Sequence, residues 1–348
     1  MFNVRNRIIS DKHSPFIIAE LSANHNGSIN LAKQSIAAAK KSGAHAVKIQ
    51  TYEAETMTID CNKDDFMIKG GLWDGYKLFD LYAEAQTPFE WHKELFNFAI
   101  EQDITLFSTP FDESAVDLLE SLDTPAYKIA SFELCDLPLI SYVAKTKKPL
   151  FMSTGMASEE EISEAVEVAR VNGARDILLF HCISSYPAPI EECNLNMIPK
   201  IKETFGVEVG LSDHTLDNMA AILSVSKGAV AIEKHFILDK SFKGPDSDFS
   251  MDPKQLKSLV LNTHKAWQSM GNSEFKRANV EESSLAFRRS IYFTDDLKKG
   301  DLITRNNIRR IRPGFGLKPK HFHEIIGKKL AHDVEMGDPV LWDCIEDR

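Results

Sequence analysis

An apolar, β-branched run followed by a stretch of helical period recurs along this chain. The runs lie near residues 16–23, 46–52, 105–111, 126–131, 149–155, 177–184, 207–214 and 229–236. Such alternation belongs to α/β folds, where each helix packs back over a mostly parallel sheet. The clearest helical stretches are 31–41 and 159–171, with apolar residues three and four apart. Gly43, Gly173 and Gly228 each stand between a helical stretch and the next run, where a left-handed helix cap belongs. Eight such units in about 270 residues predict a closed (β/α)8 barrel, a TIM barrel. A doubly wound open sheet is the alternative that a strand count leaves open. The barrel is favoured because nearly every run ends in polar, chemically useful residues, and barrel active sites lie at strand C-termini.

The chain has 348 residues. That length accommodates a barrel of about 250 residues and a module of about 60. The expected division is a barrel over 1–271, a polar linker over 272–286 and a small, mostly-β module over 287–348. The module reads as short apolar pieces broken by turns, among them the repeated K-K-G-D and E-M-G-D. A long insertion, 53–87, separates the second run from its helix and carries Trp73, Tyr76 and Tyr82. Loops of that length are more often functional than not.

The formal net charge of -10 argues against general affinity for nucleic acid. An anionic substrate therefore needs a local basic pocket. Five scattered cysteines without a C-x-x-C pair read as reduced thiols. The N-terminal segment lacks the apolar core of a signal peptide, and no window reaches 18 apolar residues, so a cytoplasmic protein without membrane contact is expected.

Two histidines end the last two runs, His214 in GLSDHT and His235 in AIEKHF. Neighbouring strands lie about 4.8 Å apart, so two imidazoles at equal depth can share one cation. A two-histidine site with open positions suits Mn²⁺, Co²⁺, Fe²⁺ or, less well, Mg²⁺. The plainer reading makes each a hydrogen-bonded rim residue. Lys48, Lys128 and Lys234 also sit inside strand patterns, where a lysine is costly unless it meets a charge. With Ser131, Ser153 and Ser212 they suggest a phosphate or carboxylate cradle. The competing reading pairs them with Glu20 or Glu133. Lys234 is out of phase with His235 and is expected to face the helices. Glu20 and Glu133 are candidates to orient water, move a proton or bind hydroxyls. Asp246, in KGPDSDFS, is a candidate for a substrate amine or hydroxyl, though aspartates in such loops more often form turns. No dinucleotide or P-loop motif occurs.

The motifs FIIAELSANHNG, AVKIQTY, YKIASFE, STGM, SYPAP, GLSDHT and IEKHF resemble, in order, those of the sialic acid synthase family. The tail from SIYFTDDLKKGD to IRPGFGLKP is similar to that family's C-terminal antifreeze-like (SAF) domain. Within the family, AELSANHNGS and the insertion segment IKGGLWDGYKLFDLYAEAQTPFEWH are most similar to the pseudaminic acid branch. The resemblance implies condensation of phosphoenolpyruvate with an open-chain amino sugar, giving a nine-carbon 2-keto acid and phosphate. It implies a divalent metal on His214 and His235, and no organic cofactor. It implies phosphoenolpyruvate contacts from Lys48, Thr109, Lys128, Ser131, Ser153 and Ser212. Ser184 stands where the family often carries Asn before the Tyr-Pro step, so its phosphate contact is a substitution. Glu20 matches the carboxylate near the reacting carbons, and Glu133, Tyr186 and Asp246 match sugar-side positions. Arg312 matches an arginine that the small domain lays over a partner's active site, which implies a domain-swapped homodimer. The rival readings are a metal-dependent pyruvate aldolase, which releases no phosphate, and a non-catalytic sugar-binding protein.

Overall fold

A short hairpin precedes everything else: β1 (Phe2–Val4) pairs antiparallel with β2 (Arg7–Ile9). Eight parallel strands follow. They are β3 (Phe16–Glu20), β4 (Ala46–Thr51), β5 (Thr105–Pro110), β6 (Tyr127–Ile129), β7 (Leu150–Ser153), β8 (Ile177–Cys182), β9 (Glu208–Asp213) and β10 (Ala231–His235). Strand β10 pairs back onto β3, with His235 opposite Glu20, and this pairing closes the barrel and excludes the open sheet. The computed structural model describes residues 1–346.

The helices begin and end where the sequence supplies caps. Ser158 and Glu161 form a reciprocal capping box at the start of the helix Glu159–Val171, and Asp252 with Gln255 does the same for Pro253–Met270. Gly43, at φ 94°, ends the helix Ile29–Ser42 in a left-handed turn that a side chain would strain. One apolar core lies between the barrel and its helices, built from residues such as Ile36, Leu95, Leu119, Ile140 and Leu256. A second core fills the lower barrel. Phe107, Phe151 and Phe180 meet there edge to face, with ring centroids 5.5 and 6.0 Å apart. The hairpin completes that layer, because Phe2, Val4 and Ile9 belong to the same cluster and Phe2 lies 6.1 Å from the Phe151 ring.

Met1–Gly271 and Asn272–Arg348 are separate compact units. In the second, β11 (Ser290–Phe293) pairs antiparallel with β12 (Ile308–Ile311) over a core of Ile291, Phe293, Ile303, Ile325, Leu330 and Val340. Both expected turns form: Asp301 N–H returns to the Lys298 carbonyl and Asp338 N–H to that of Glu335, each at 3.0 Å. Among the described residues, no helix is long and apolar enough to cross a membrane.

Candidate active site

Side chains alternate along a strand, so every second residue of the barrel points inward. Parity thus brings Glu20 of β3, Lys48 of β4, Lys128 of β6, Ser212 of β9 and Glu233 of β10 into one buried cluster. Lys128 Nζ donates to both oxygens of Glu233, at 2.9 and 3.0 Å, and lies 4.7 Å above the Phe180 ring. Lys48 Nζ lies 3.0 Å from Glu20 Oε2 and 3.3 Å from Glu233 Oε1, and donates to Thr109 Oγ1 at 3.1 Å. Ser212 Oγ donates to Glu233 Oε1 at 3.3 Å.

The two carboxylates of this cluster part company. Burial raises Glu20 to about 7 against the pull of Lys48, with the nearby Glu233 charge adding to the rise. Burial works on Glu233 in the same direction, but Lys128 and Lys48 overcome it and hold that carboxyl at about 2. Paired carboxyls whose surroundings drive them apart are how one site carries both a fixed anion and a titrating acid or base. Here Glu233 is the fixed anion and Glu20 the group that exchanges a proton near neutrality. Glu20 Oε1 has no hydrogen-bond partner, and neither has buried Ser153 Oγ. Orphaned polar atoms in a buried pocket mark where a polar ligand belongs.

The imidazoles of His214 and His235 lie above this cluster with ring centroids 5.5 Å apart. His214 Nδ1 is 2.9 Å from the Ile183 carbonyl, so Nδ1–H donates there and Nε2 is the ring nitrogen left for a ligand. Burial pushes this imidazole down, but neighbouring Cys182 and the Ile183 carbonyl outweigh it and hold His214 above the usual histidine range. His235 is held well below the usual histidine range, by burial first and then by the neighbouring cations, and so stays neutral. Its buried Nδ1 has no hydrogen-bond partner and stands 3.8 Å from Asp246 Oδ2. Two adjacent imidazoles, one with an orphaned nitrogen beside a carboxylate, are a donor set that suits a divalent first-row ion. Tyr186 leans over both rings, at 4.3 Å from His214 and 6.1 Å from His235, and Phe249 lies 4.9 Å from His235. The long insertion reaches this mouth. Trp73 packs 5.9 Å from Tyr186, and its Nε1–H donates to the Pro245 carbonyl at 3.1 Å.

The remaining expected residues fall into three places. Ser131, Ser153 and Ser184 surround the end of β7, where Gly155 N–H donates to Ser131 Oγ at 3.1 Å. Glu133 is half-buried with Oε2 unpartnered, and burial raises it to about 7. Arg312 belongs to the small unit, one residue beyond β12, and is exposed. Lys234 stands outside the cradle, as its phase against His235 predicts: it points to the helix side of the barrel and donates to Asp213 Oδ2 at 2.8 Å. Of the two carboxylates offered as partners for the internal lysines, Glu20 does pair, with Lys48. The expectation for Glu133 needs correction: the second carboxylate that meets these lysines is Glu233. Glu233 was the residue that sequence reasoning missed, although it shares a strand face with His235. The signal was arithmetic: two inward lysines and Glu20 leave one positive charge without a partner. Among the described residues, the group of three metal-ligating side chains within mutual reach is His332, Asp343 and Cys344, on the small unit. It includes neither strand-end histidine.

Gly155 offers a sharp test of the serine group. A Cβ at this position would stand 2.2 Å from Ser184 Oγ and 2.8 Å from Ser131 Oγ. Gly155→Ala is expected to push both hydroxyls aside and weaken binding of an anionic substrate by about tenfold, for one or two lost hydrogen bonds to charge. Isothermal titration with inorganic phosphate measures this, and unchanged affinity would remove the serines from the site.

The NeuB family model matches residues 35–275, and the SAF domain model matches 288–346. The chain belongs to the NeuB family. It is 46% identical over 334 residues to the pseudaminic acid synthase of Helicobacter pylori, covering 95% of this chain and 98% of that one. It is 45% identical over 323 residues to the pseudaminic acid synthase of Campylobacter jejuni subsp. jejuni, covering 93% and 94%. The crystal structure of an N-acetylneuraminic acid synthetase from Leptospira borgpetersenii, in complex with citrate, superimposes with a TM-score of 0.74 at 29% identity, over 82% of this chain and 94% of that one. This NeuB chain is therefore one of a family of sugar-acid synthases that pair a TIM barrel with a SAF domain.

Proposed function

We propose that this chain is a pseudaminic acid synthase. It joins phosphoenolpyruvate, water and the open-chain form of 2,4-diacetamido-2,4,6-trideoxy-L-altrose to give pseudaminic acid and phosphate. The observation that carries the chemistry is the Lys48–Glu233–Lys128 cluster beneath the paired His214 and His235 imidazoles. It offers a cationic seat for one reactant under a ligand set for the other. The choice of sugar follows the near-full-length likeness to pseudaminic acid synthases.

Lys48, Lys128, Thr109 and the hydroxyls of Ser131, Ser153, Ser184 and Ser212 hold the phosphate and carboxylate of phosphoenolpyruvate. His214 and His235 would hold the divalent cation, which supplies Lewis-acid polarisation of the aldehyde when bound. Tyr186, Asp246 and Glu133 take the sugar's polar groups, and Trp73 and Phe249 offer apolar surface for its methyls. This seating brings C3 of phosphoenolpyruvate to about 3–3.5 Å from the aldehyde carbon. Bond formation between them leaves C2 electron-poor. Water adds at C2 while Glu20 Oε1 takes its proton, as a carboxylate near 7 is able to do. The adduct then expels phosphate by breaking the C2–O bond. No organic cofactor enters. Arg312 of a second subunit is read as covering the mouth, with residues 272–286 as the connector that allows the exchange.

Phosphate release decides between acceptors. The altrose derivative should give rapid release that EDTA abolishes, while the legionaminic precursor and N-acetylmannosamine give little. Turnover of N-acetylmannosamine alone would overturn the sugar assignment. Subunit exchange has its own signature. In a symmetric dimer, mixing His214→Ala with Arg312→Ala chains leaves one intact site per mixed dimer, so activity should recover to about a quarter of wild type. No recovery after verified exchange would place Arg312 outside the neighbouring site.

A further inference from the structure

Directly behind the two histidines, on the helix side of the barrel, sits a second buried ion pair. Asp213 precedes His214, Lys234 precedes His235, and the two are register partners on β9 and β10. Both side chains are buried, at 2% and 1% exposure, and lie 2.8 Å apart. Lys234 Nζ also donates to the Thr215 carbonyl and reaches Thr215 Oγ1 at 3.4 Å. Asp213 Oδ1 accepts the Thr215 N–H at 2.9 Å, and Thr215 Oγ1 donates to the Asp217 carbonyl at 3.1 Å. The amine from beside His235 thus grips the residues on both sides of His214, the Asp213 carboxylate on one and the Thr215 carbonyl on the other. Strand parity turns the pair away from the interior, so it touches no substrate.

We propose that Asp213 and Lys234 are positioning residues that set the separation of the His214 and His235 imidazoles for a shared cation. Buried ion pairs add little net stability, because desolvation offsets their attraction, and apolar replacements of similar size are often neutral. What such a pair adds is a fixed geometry. Its three acceptors define the height and twist of the turn 213–215, and hence where the His214 ring stands over that of His235. Partners behind metal-binding histidines act in this manner. The inference rests on reading those two histidines as metal ligands.

The test is the double variant Asp213→Leu/Lys234→Met, which removes both charges and keeps the volume. It should melt close to wild type, bind Mn²⁺ about 10–100-fold more weakly in titration calorimetry, and show in its metal-free crystal structure a ring separation departing from 5.5 Å. Wild-type Mn²⁺ affinity with unmoved rings would overturn the proposal. Should the wild-type protein itself bind no Mn²⁺, the metal reading fails by itself, and the metal-free ring geometry still decides whether the pair positions the histidines. If the double variant does not fold, Asp213→Asn, which keeps the shape and loses the charge, is read in the same two ways.

Discussion

Glu233→Ala should lower the unfolding free energy by about 3–5 kcal/mol, the usual cost of removing one partner from a buried charge network. The substitution removes the carboxylate that Lys128 meets and, among the described residues, leaves Lys48 paired with Glu20. Two amines then face each other in the barrel interior, and phosphate release should fall below detection. Urea unfolding reads the first effect and the second needs only the phosphate assay. The pH dependence has a definite sign. Glu233 titrates at about 2 in the folded protein against an ordinary 4.5. Its contribution is therefore complete above about 4.5 and is lost as pH falls toward 2, so the gap between wild type and variant narrows in acid. Glu233→Gln keeps the shape without the charge. Because its lysines are less neutralised, added phosphoenolpyruvate should raise its melting temperature more than it raises that of wild type. A variant as stable as wild type at pH 7 would mean that the lysines are not charged there.

The second large effect belongs to His214→Ala. Phosphate release is expected to fall on the order of a thousandfold, since the Lewis-acid contribution is worth several kcal/mol. Bound metal, measured by emission spectrometry, should fall with it. Phosphoenolpyruvate affinity should stay within a few fold, because Lys48, Lys128 and Glu233 lie on other strands and keep their contacts. That split separates loss of an acceptor-side ligand from collapse of the pocket. Full activity with full metal content would end the assignment of His214.

Much of this molecule was legible in its residues, for reasons that differ between regions. The strands announced themselves because each is buried on both faces and reads as a continuous apolar run, and their observed ends fall within three residues of the expected ones. Parity turned Lys234 away from His235 and toward the helices, as found. The cost of a lysine within an apolar strand required Lys48 and Lys128 to meet a charge, and both do. What escaped was pairing across the barrel. Glu233 meets Lys128 from 105 positions away, a contact that no local pattern encodes. Periodicity ranks residues along one strand and is silent about which strand lies opposite. The N-terminal hairpin escaped for another reason. Phe2 and Val4 flank polar Asn3, but Ile9 follows Ile8, and both strands are only three residues long, too short for any period to register. The conformation of 53–87 was not readable either, since its two α-helices, Ala54–Met57 and Leu78–Ala85, span only four and eight residues, too few for a helical period to stand out.

The hairpin and its phenylalanine layer bear on traffic. With Phe2, Phe107, Phe151 and Phe180 sealing the floor, the interior is a cul-de-sac whose doorway is the rim where the imidazoles stand. In the proposed reaction, whatever docks on the lysines would pass that doorway before the aldehyde blocks it. Inorganic phosphate, set free at the bottom, would leave only after the nine-carbon chain above it has moved. Arrival and departure would thus be in single file, last in and first out.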